Sequence, residues 1–394
     1  MTDLDADLAV VGLGAIGAAT ASRAAALGLR VIGFDRFDPP HERGSSHAET
    51  RVTRLAVGEG PMYLPTVARS HEIWRELEAE FDVPLLYQCG GLIVSPRSGG
   101  GADGRWTDFV TATARVAADA GIRFDRLSAD ETRSRFPVLR LRDDEVAGHE
   151  PTAGVVMIEQ AIRVQLRLAR RHGARLHTNE MVVGIDPDDR GVRITTARRS
   201  VRVARVVTAA GPWMPELAAD DDARSLEVTR QVVCWFEVDD VAAYSVGRLP
   251  PILWPGRDIT DYLAVFPIAP GATPALKVMG EQFDAATSAD DVDREISPEE
   301  VADLYERLVT PRLSGVRPQC HRQTVCLYTS TPTEDFLIDH DLRSDRITLV
   351  SPCSGHGFKH SAAIGEALAH AAAGEAPNVD LAPFARRSLP SADA

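Results

Sequence analysis

The sequence has few cysteines, no long uncharged apolar run and a deficit of positive charge. The five cysteines, Cys89, Cys234, Cys320, Cys326 and Cys353, are odd in number and scattered along 394 residues. That excludes a disulfide framework and leads us to expect free thiols in a reducing, cytoplasmic compartment. The most apolar stretch, from Leu8 to Phe34, is cut by Arg23, Gly28 and Arg30, so it is neither a membrane span nor a secretory signal core. Lys and Arg number 43 against 57 Asp and Glu, a net charge of -14. This excludes a surface that binds nucleic acid or anionic lipid as a whole, and any anion the protein handles has to be met by a few placed cations. No metal site is expected. With 44% hydrophobic residues, 30 Gly and 25 Pro, disorder and collagen are excluded too, and the length calls for two domains or one with an insertion.

What is present begins in the first 36 residues. A short apolar run at 7–11 leads into Gly12-Leu-Gly-Ala-Ile-Gly17, then into a small, Ala-rich helix and a second strand ending at Asp35. This is the strand–turn–helix context in which G-x-G-x-x-G binds a dinucleotide. Gly12 permits the tight turn, Gly14 lets the backbone approach a pyrophosphate, and Gly17 allows close packing of helix on strand. The helix N-terminus offers unpaired N–H donors and partial positive charge to the phosphates. Asp35 is placed to hold ribose hydroxyls.

Further along, Leu64, Val67, Ala68, Trp74, Leu77 and Phe81 share one helical face, which predicts a helix over about 65–81 with Trp74 in the core. Residues 97–104 read as a surface loop, 158–172 as an amphipathic helix stopped by Gly173, and 176–178 and 181–185 as strands. The run 203–211 reads as a buried strand ending in small residues. In flavoproteins that pair a Rossmann-like unit with a distant second motif such a strand lies beneath the cofactor, which favours FAD over NAD. Short apolar runs at 232–238, 262–268 and 275–279 predict antiparallel strands of a second domain, and acidic 284–295 a solvated linker. Residues 346–350 read as a strand, 351–359 as a Gly-containing turn and 361–373 as a helix stopped by Gly374. Were its N-terminus to face an isoalloxazine ring, its dipole would stabilise the reduced flavin.

Five segments then carry a resemblance: Gly12-Leu-Gly-Ala-Ile-Gly17, Asp35-Arg-Phe-Asp-Pro-Pro-His41, Gly44-Ser-Ser-His-Ala-Glu-Thr-Arg-Val-Thr-Arg54, Cys326-Leu-Tyr-Thr-Ser-Thr-Pro332 and Ser354-Gly-His-Gly-Phe-Lys359. In this order they resemble the monomeric sarcosine oxidase and N-methyltryptophan oxidase family, with a looser match in the middle third. The resemblance implies an α/β (mixed α+β) protein. Its glutathione-reductase-like Rossmann FAD domain would be discontinuous, from 1–86, 150–220 and 322–394. Its substrate domain, with a mixed, largely antiparallel β-sheet, would come from 87–149 and 221–321. FAD would be joined through a thioether to Cys326. Cofactor contacts would come from Gly12, Gly14, Ile16, Gly17, Asp35 and Arg36, from Ser45, Ser46 and Thr50, from Gly211, and from Gly355, Gly357, Phe358 and Lys359. The partners implied are a small amine or amino acid and O2, with no nucleic acid or membrane, and the chain would be a monomer.

Flavin oxidation of an amine moves a hydride equivalent from the carbon beside nitrogen to the flavin and leaves an iminium for water to hydrolyse. The protein has to orient the amine, favour its neutral form and stabilise charge on the flavin. By resemblance Arg54 and Lys359 clamp the substrate carboxylate, and Tyr328 lines the pocket. Lys277 promotes the reaction with oxygen, Arg51 and His47 stand on the flavin side, and 56–62 forms a mobile gate. Two positions depart from the family: Glu281 stands where a histidine usually lies near the substrate amine, and Ser46 replaces the first histidine of a His-His pair. A carboxylate at 281 would favour a cationic substrate group or act as a base, shifting specificity away from sarcosine. The expected function is oxidation of a secondary amine or N-methyl amino acid. The alternatives are oxidation of a cyclic or modified amino acid such as pipecolate in a biosynthetic pathway, an NAD(P)-dependent dehydrogenase with the same opening motif, and a non-catalytic binding protein that keeps the fold.

Overall fold

The strand β1 (Ala6–Val11), the helix α1 (Ala15–Ala26) and the strand β2 (Val31–Phe34) form the expected opening unit, at the centre of an eight-stranded sheet. The structure, a computed structural model, describes residues 4–97, 109–282 and 285–386. β1 runs parallel to β2 on one side and to Ser200–Thr208 on the other, and Ser344–Ser351 extends the parallel set. Parallel strands covered on both faces need near-continuous apolar runs, and Ala6, Leu8, Ala9, Val10 and Val11 supply one, all buried. Val182–Asp188 and Gly191–Thr196 close this sheet with antiparallel pairing.

α1 is rich in alanine and carries Gly17, which lets backbones close in. A Cβ on Gly17 would meet the Gly12 carbonyl oxygen at 1.7 Å, and one on Gly365 in the helix Ser361–Ala373 would meet the Ala19 Cβ at 2.3 Å. Beside this crossing the buried carboxylate of Glu366 is satisfied by Arg23 at 2.9 Å, Arg69 at 2.7 Å and the Asn378 amide at 3.0 Å, as a desolvated charge requires. The helix Ile158–Arg171 packs in the same layer. A second helix, α2 (Leu64–Phe81), turns Val67, Trp74 and Leu77 inward, with Trp74 fully buried as its spacing predicts.

The second sheet has nine strands and is largely antiparallel. The exception is the parallel pairing of Ile252–Trp254 with Gly91–Pro96. Its longest ladder joins Glu227–Val238 to Val316–Ser330, the strand that carries Cys326 and Tyr328. That pairing runs on until Ser330 faces Glu227, so the chain leaves the second sheet after 330 and not at the expected 322. A three-stranded sheet of Leu86–Tyr87, Gly154–Met157 and the strand β3 (Thr50–Thr53) lies between the other two in sequence, and β3 carries Thr50 and Arg51.

The segment 284–295 differs from the solvated linker expected of it. Within its described residues Ala286–Thr287 pairs with Val228 and Thr229, and Ala289 and Val292 bury against Val228, Val325 and Leu327. The acidic side chains face out, while two apolar ones three residues apart anchor the segment. The surface loop expected at 97–104 lies, from residue 98 on, outside the described residues. No helix among the described residues is long and apolar enough to cross a membrane.

Candidate active site

All three sheets contribute to a cavity of about 770 Å³, within the size range of small-molecule and cofactor sites. At one end stands the Gly-rich turn. Gly12 has φ +88°, and a Cβ there would lie 2.4 Å from the Ala209 carbonyl oxygen; a Cβ on Gly14 would meet only the Ser46 hydroxyl, at 3.7 Å. The Gly14 backbone is therefore open to the cavity. No side chain caps the first turn of α1, so its N–H groups remain for a ligand, and Ile16 lines the wall beside them.

Asp35 is buried at the same end. Its Oδ2 accepts the Leu13 N–H and its Oδ1 the Phe37 N–H, both at 2.8 Å. The carboxylate thus braces the turn and still has lone pairs to offer. Arg36 pairs with Asp290 at 2.8 Å and lies over the Phe37 and Trp213 rings, with Trp213 itself bonded to Asp290. Ser45, Ser46 and Gly211 (φ +56°) continue the wall, as do Gly355, Gly357, Phe358 and Lys359. A Cβ on Gly355 would meet the Tyr328 ring at 2.9 Å, and one on Gly357 the Pro352 oxygen at 1.5 Å, so both positions need glycine. The helix Ser361–Ala373 begins at this wall, where Ser361 lines the cavity.

Only two of the 43 basic residues are lysines, Lys277 and Lys359, and both are buried at this site. Lys359 Nζ donates to the His356 carbonyl at 2.7 Å. Burial brings its pKa down to about 7, opposed by Glu59 and reinforced by Arg54. Burial and Lys359 hold the neighbouring His356 down to about 3, so His356 is neutral. Lys277 Nζ donates to the carbonyls of Ala48 at 2.9 Å and Thr50 at 2.5 Å, and sits 3.7 Å from the centre of the Phe266 ring. Lys277 is not on a wet strand face; burial lowers its pKa well below the ordinary lysine value.

Arg54 is buried against the Phe109 ring, and its guanidinium is engaged: Nη1 donates to the Ala56 carbonyl at 2.8 Å and Nη2 to both Glu59 oxygens at 2.6 and 2.7 Å. Burial pushes the Glu59 carboxyl up, but the Arg54 and Lys359 charges outweigh it and keep it ionised. Glu59 sits in the segment 56–62 expected as a gate. That segment is hung from the Glu150 carboxylate, which accepts the N–H groups of Leu55 and Ala56 at 2.8 and 3.0 Å.

His47, Thr50, Lys277 and Cys326 do not line the cavity; they stand behind Arg51 and Phe266, which do. Gly17 likewise serves packing and not lining. Arg51 donates to the carbonyls of Thr50 at 3.1 Å and Ser45 at 2.9 Å and lies 3.6 Å from Cys326 Sγ, which is 3.4 Å from His47 Nε2. Burial pushes the Cys326 thiol up, but His47, Arg51 and Lys277 bring it down to about 6. That lowering favours the thiolate form of the sulfur. Elsewhere in the cavity Glu281 shares the wall with Tyr262, Met279 and Tyr328. Burial, then the Glu281 charge, pushes both phenols well above the ordinary tyrosine value.

Sequence reading missed Glu59, Glu49, Tyr262 and the Tyr63–Asp335 hydrogen bond at 2.7 Å that stands in the same wall. For Glu59 a signal existed, an acid between Gly58 and Gly60 five residues past Arg54. Among the described residues no group of three or more His, Cys, Asp or Glu could hold a metal ion.

The chain is 33% identical over 369 residues to a protein of Streptomyces avermitilis named monomeric sarcosine oxidase, covering 92% of each chain. It is 31% identical over 382 residues to a protein of Salmonella heidelberg named N-methyl-L-tryptophan oxidase, covering 96% of this chain and 97% of that one. Among solved structures NikD, described as an unusual amino acid oxidase essential for nikkomycin biosynthesis, shares the fold, with a TM-score of 0.81 at 22% identity over 96% of this chain and 97% of the other. The family model described as FAD dependent oxidoreductase matches residues 7–371, and the protein belongs to that family.

Proposed function

We propose that the protein is an FAD-dependent oxidase of secondary α-amino acids, acting on an N-methyl or otherwise N-substituted amino acid. The observation that carries this reading is that Arg54 holds a carboxylate, that of Glu59, with the Lys359 charge acting on the same group. Two buried cations converging on one carboxylate suit the anionic end of an amino acid.

FAD fits the residues present. The uncapped start of α1 with Gly12 and Gly14 would take the pyrophosphate, Asp35 the ribose, and Arg36 with Trp213 the adenine end. When bound, FAD would supply a hydride acceptor and a route for two electrons to oxygen, giving hydrogen peroxide. The chain does the rest. Arg54 and Lys359 would orient the substrate by its carboxylate once it displaces Glu59 from Arg54. Glu281 would accept the proton that has to leave the ammonium before the nitrogen can give up electrons, and Tyr262 and Tyr328 would enclose the amine. Lys277 would place a fixed positive charge where oxygen is reduced. Arg51 and His47 would favour the reduced anion. Cys326 would be the point of covalent attachment. The protein would work as a cytoplasmic monomer.

The test is a panel of amines scored by peroxide release. Secondary α-amino acids should turn over, and their esters and decarboxylated analogues should not. A second reading, oxidation of a cyclic or modified amino acid such as pipecolate, is favoured by Glu281, whose charge suits a more basic ring nitrogen. Faster turnover of cyclic than of N-methyl substrates would establish it. An NAD(P)-dependent dehydrogenase has no use for Lys277 and Cys326, and a non-catalytic binding protein none for Lys277 and Glu281. Peroxide release from any amine disposes of both.

A further inference from the structure

Two consecutive non-glycine residues, Ala48 (φ 76°) and Glu49 (φ 68°), are left-handed. Such backbone costs of order 1 kcal/mol or more per residue and persists only where its surroundings hold it. What holds it here is Glu49. Its Oε1 accepts the Thr273 N–H at 3.2 Å, the Thr273 hydroxyl at 2.6 Å and Arg322 Nη1 at 3.2 Å, and its Oε2 accepts Trp235 Nε1 at 3.0 Å. Its own N–H donates to Glu159 Oε1 at 3.1 Å, and its carbonyl accepts the Ile158 N–H at 2.9 Å. The strained pair is thus fastened to the second sheet through Trp235 and Arg322, to the turn that holds Thr273 beside it, and to the helix Ile158–Arg171 through its backbone. The consequence falls on Lys277, because the two carbonyls that receive its ammonium, Ala48 and Thr50, flank Glu49.

We infer that Glu49 is a positioning residue for Lys277: it locks the left-handed turn whose carbonyls aim the ammonium and lends that ammonium a nearby negative charge. The inference rests on the oxygen-directed role proposed for Lys277. The charged or titratable groups acting on Lys277 are Arg51 from β3, Cys326 from the strand Val316–Ser330, Glu159 from the helix Ile158–Arg171, and Glu49. Arg51 opposes its charge and the other three support it. Replacing Glu49 by glutamine keeps the size of the side chain, removes the charge and leaves too few acceptors for four donors.

The experiment exploits the scarcity of lysine. In flavin-loaded protein labelled with 15N at lysine Nζ, the side-chain spectrum holds two lysine signals, and Lys359 is an internal control for Lys277. Glu49→Gln is expected to lower the Lys277 titration midpoint by about one pH unit, leaving that of Lys359 in place. The same variant, reduced with dithionite and mixed with oxygen, should re-oxidise about tenfold more slowly. In a Lys277→Met background Glu49→Gln should slow re-oxidation by less than about twofold, since a group acting through Lys277 has nothing left to act on. Trp235→Phe, which removes one donor and keeps the ring, should move both readings in the same direction by less, and it stands in if Glu49→Gln fails to fold. An unmoved Lys277 signal, or an equal loss in the Lys277→Met background, overturns the inference. Re-oxidation of Lys277→Met at the parent rate overturns instead the role of Lys277 on which it rests.

Discussion

Lys277 and Lys359 differ from the arginines around them in what burial does to them. A guanidinium stays charged, whereas burial lowers the pKa of an ammonium, and Lys359 has been brought to about 7. The sign follows directly: Lys359 is charged below that pH and neutral above it. A carboxylate inhibitor should bind most tightly below about pH 7 and more weakly as pH rises through it. Titration of flavin absorbance with such an inhibitor measures this, and affinity that rises with pH would contradict it. Glu59 gives a second prediction. As the carboxylate that occupies Arg54, it would compete with substrate in the function proposed, so Glu59→Gln should lower KM about five- to thirtyfold, the worth of roughly 1–2 kcal/mol, with kcat changed little; a raised KM would refute it. The resemblance singled out Arg54, Lys359 and Cys326, and all three are buried, the first two in the cavity wall and Cys326 behind it. Glu59 left only a faint signal, an acid between Gly58 and Gly60, because its pairing with Arg54 depends on how that turn folds back. Glu49 left none, because nothing in a local pattern marks an alanine and a glutamate as left-handed.

At the scale of elements, the opening strand–helix–strand unit and the closing strand–turn–helix were legible because each has its own local signature: apolar runs, glycines at fixed offsets, and a helix that ends at Gly374 with φ +77°. The middle of the chain was harder. The acidic composition of 284–295 concealed the pair Ala289 and Val292, and a continuous 15-residue strand, Val316–Ser330, spanned an expected domain boundary because pairing with Glu227–Val238 continues past it. The small-residue crossing of α1 and Ser361–Ala373 carries a stability prediction. Gly365→Ala would set a Cβ 2.3 Å from that of Ala19 and 2.7 Å from the Thr20 nitrogen. It should cost about 1–3 kcal/mol, read by thermal unfolding, with weaker FAD retention because α1 begins at the cofactor end of the cavity. An unchanged midpoint would mean the helices can separate there freely.

For the molecule as a whole, the net charge of -14 is the field against which, in the function proposed, the cavity would be the place where an anion is met by Arg51, Arg54 and Lys359. Both sheets and the short sheet containing β3 are needed to assemble that place. β3 brings Arg51 to the wall, the second sheet brings Tyr328, and the closing helix region brings Lys359. Covalent attachment is tested by acid precipitation: the parent should keep its yellow colour on the polypeptide and Cys326→Ser should release it, whereas release from both would remove Cys326 from that role. The most direct test of the central claim is anaerobic flavin bleaching by a secondary α-amino acid, compared with its uncharged ester. The account predicts saturable bleaching by the acid and a loss of about 100-fold or more in bimolecular efficiency with the ester, from two charge-assisted contacts. Equal bleaching by the two would contradict it.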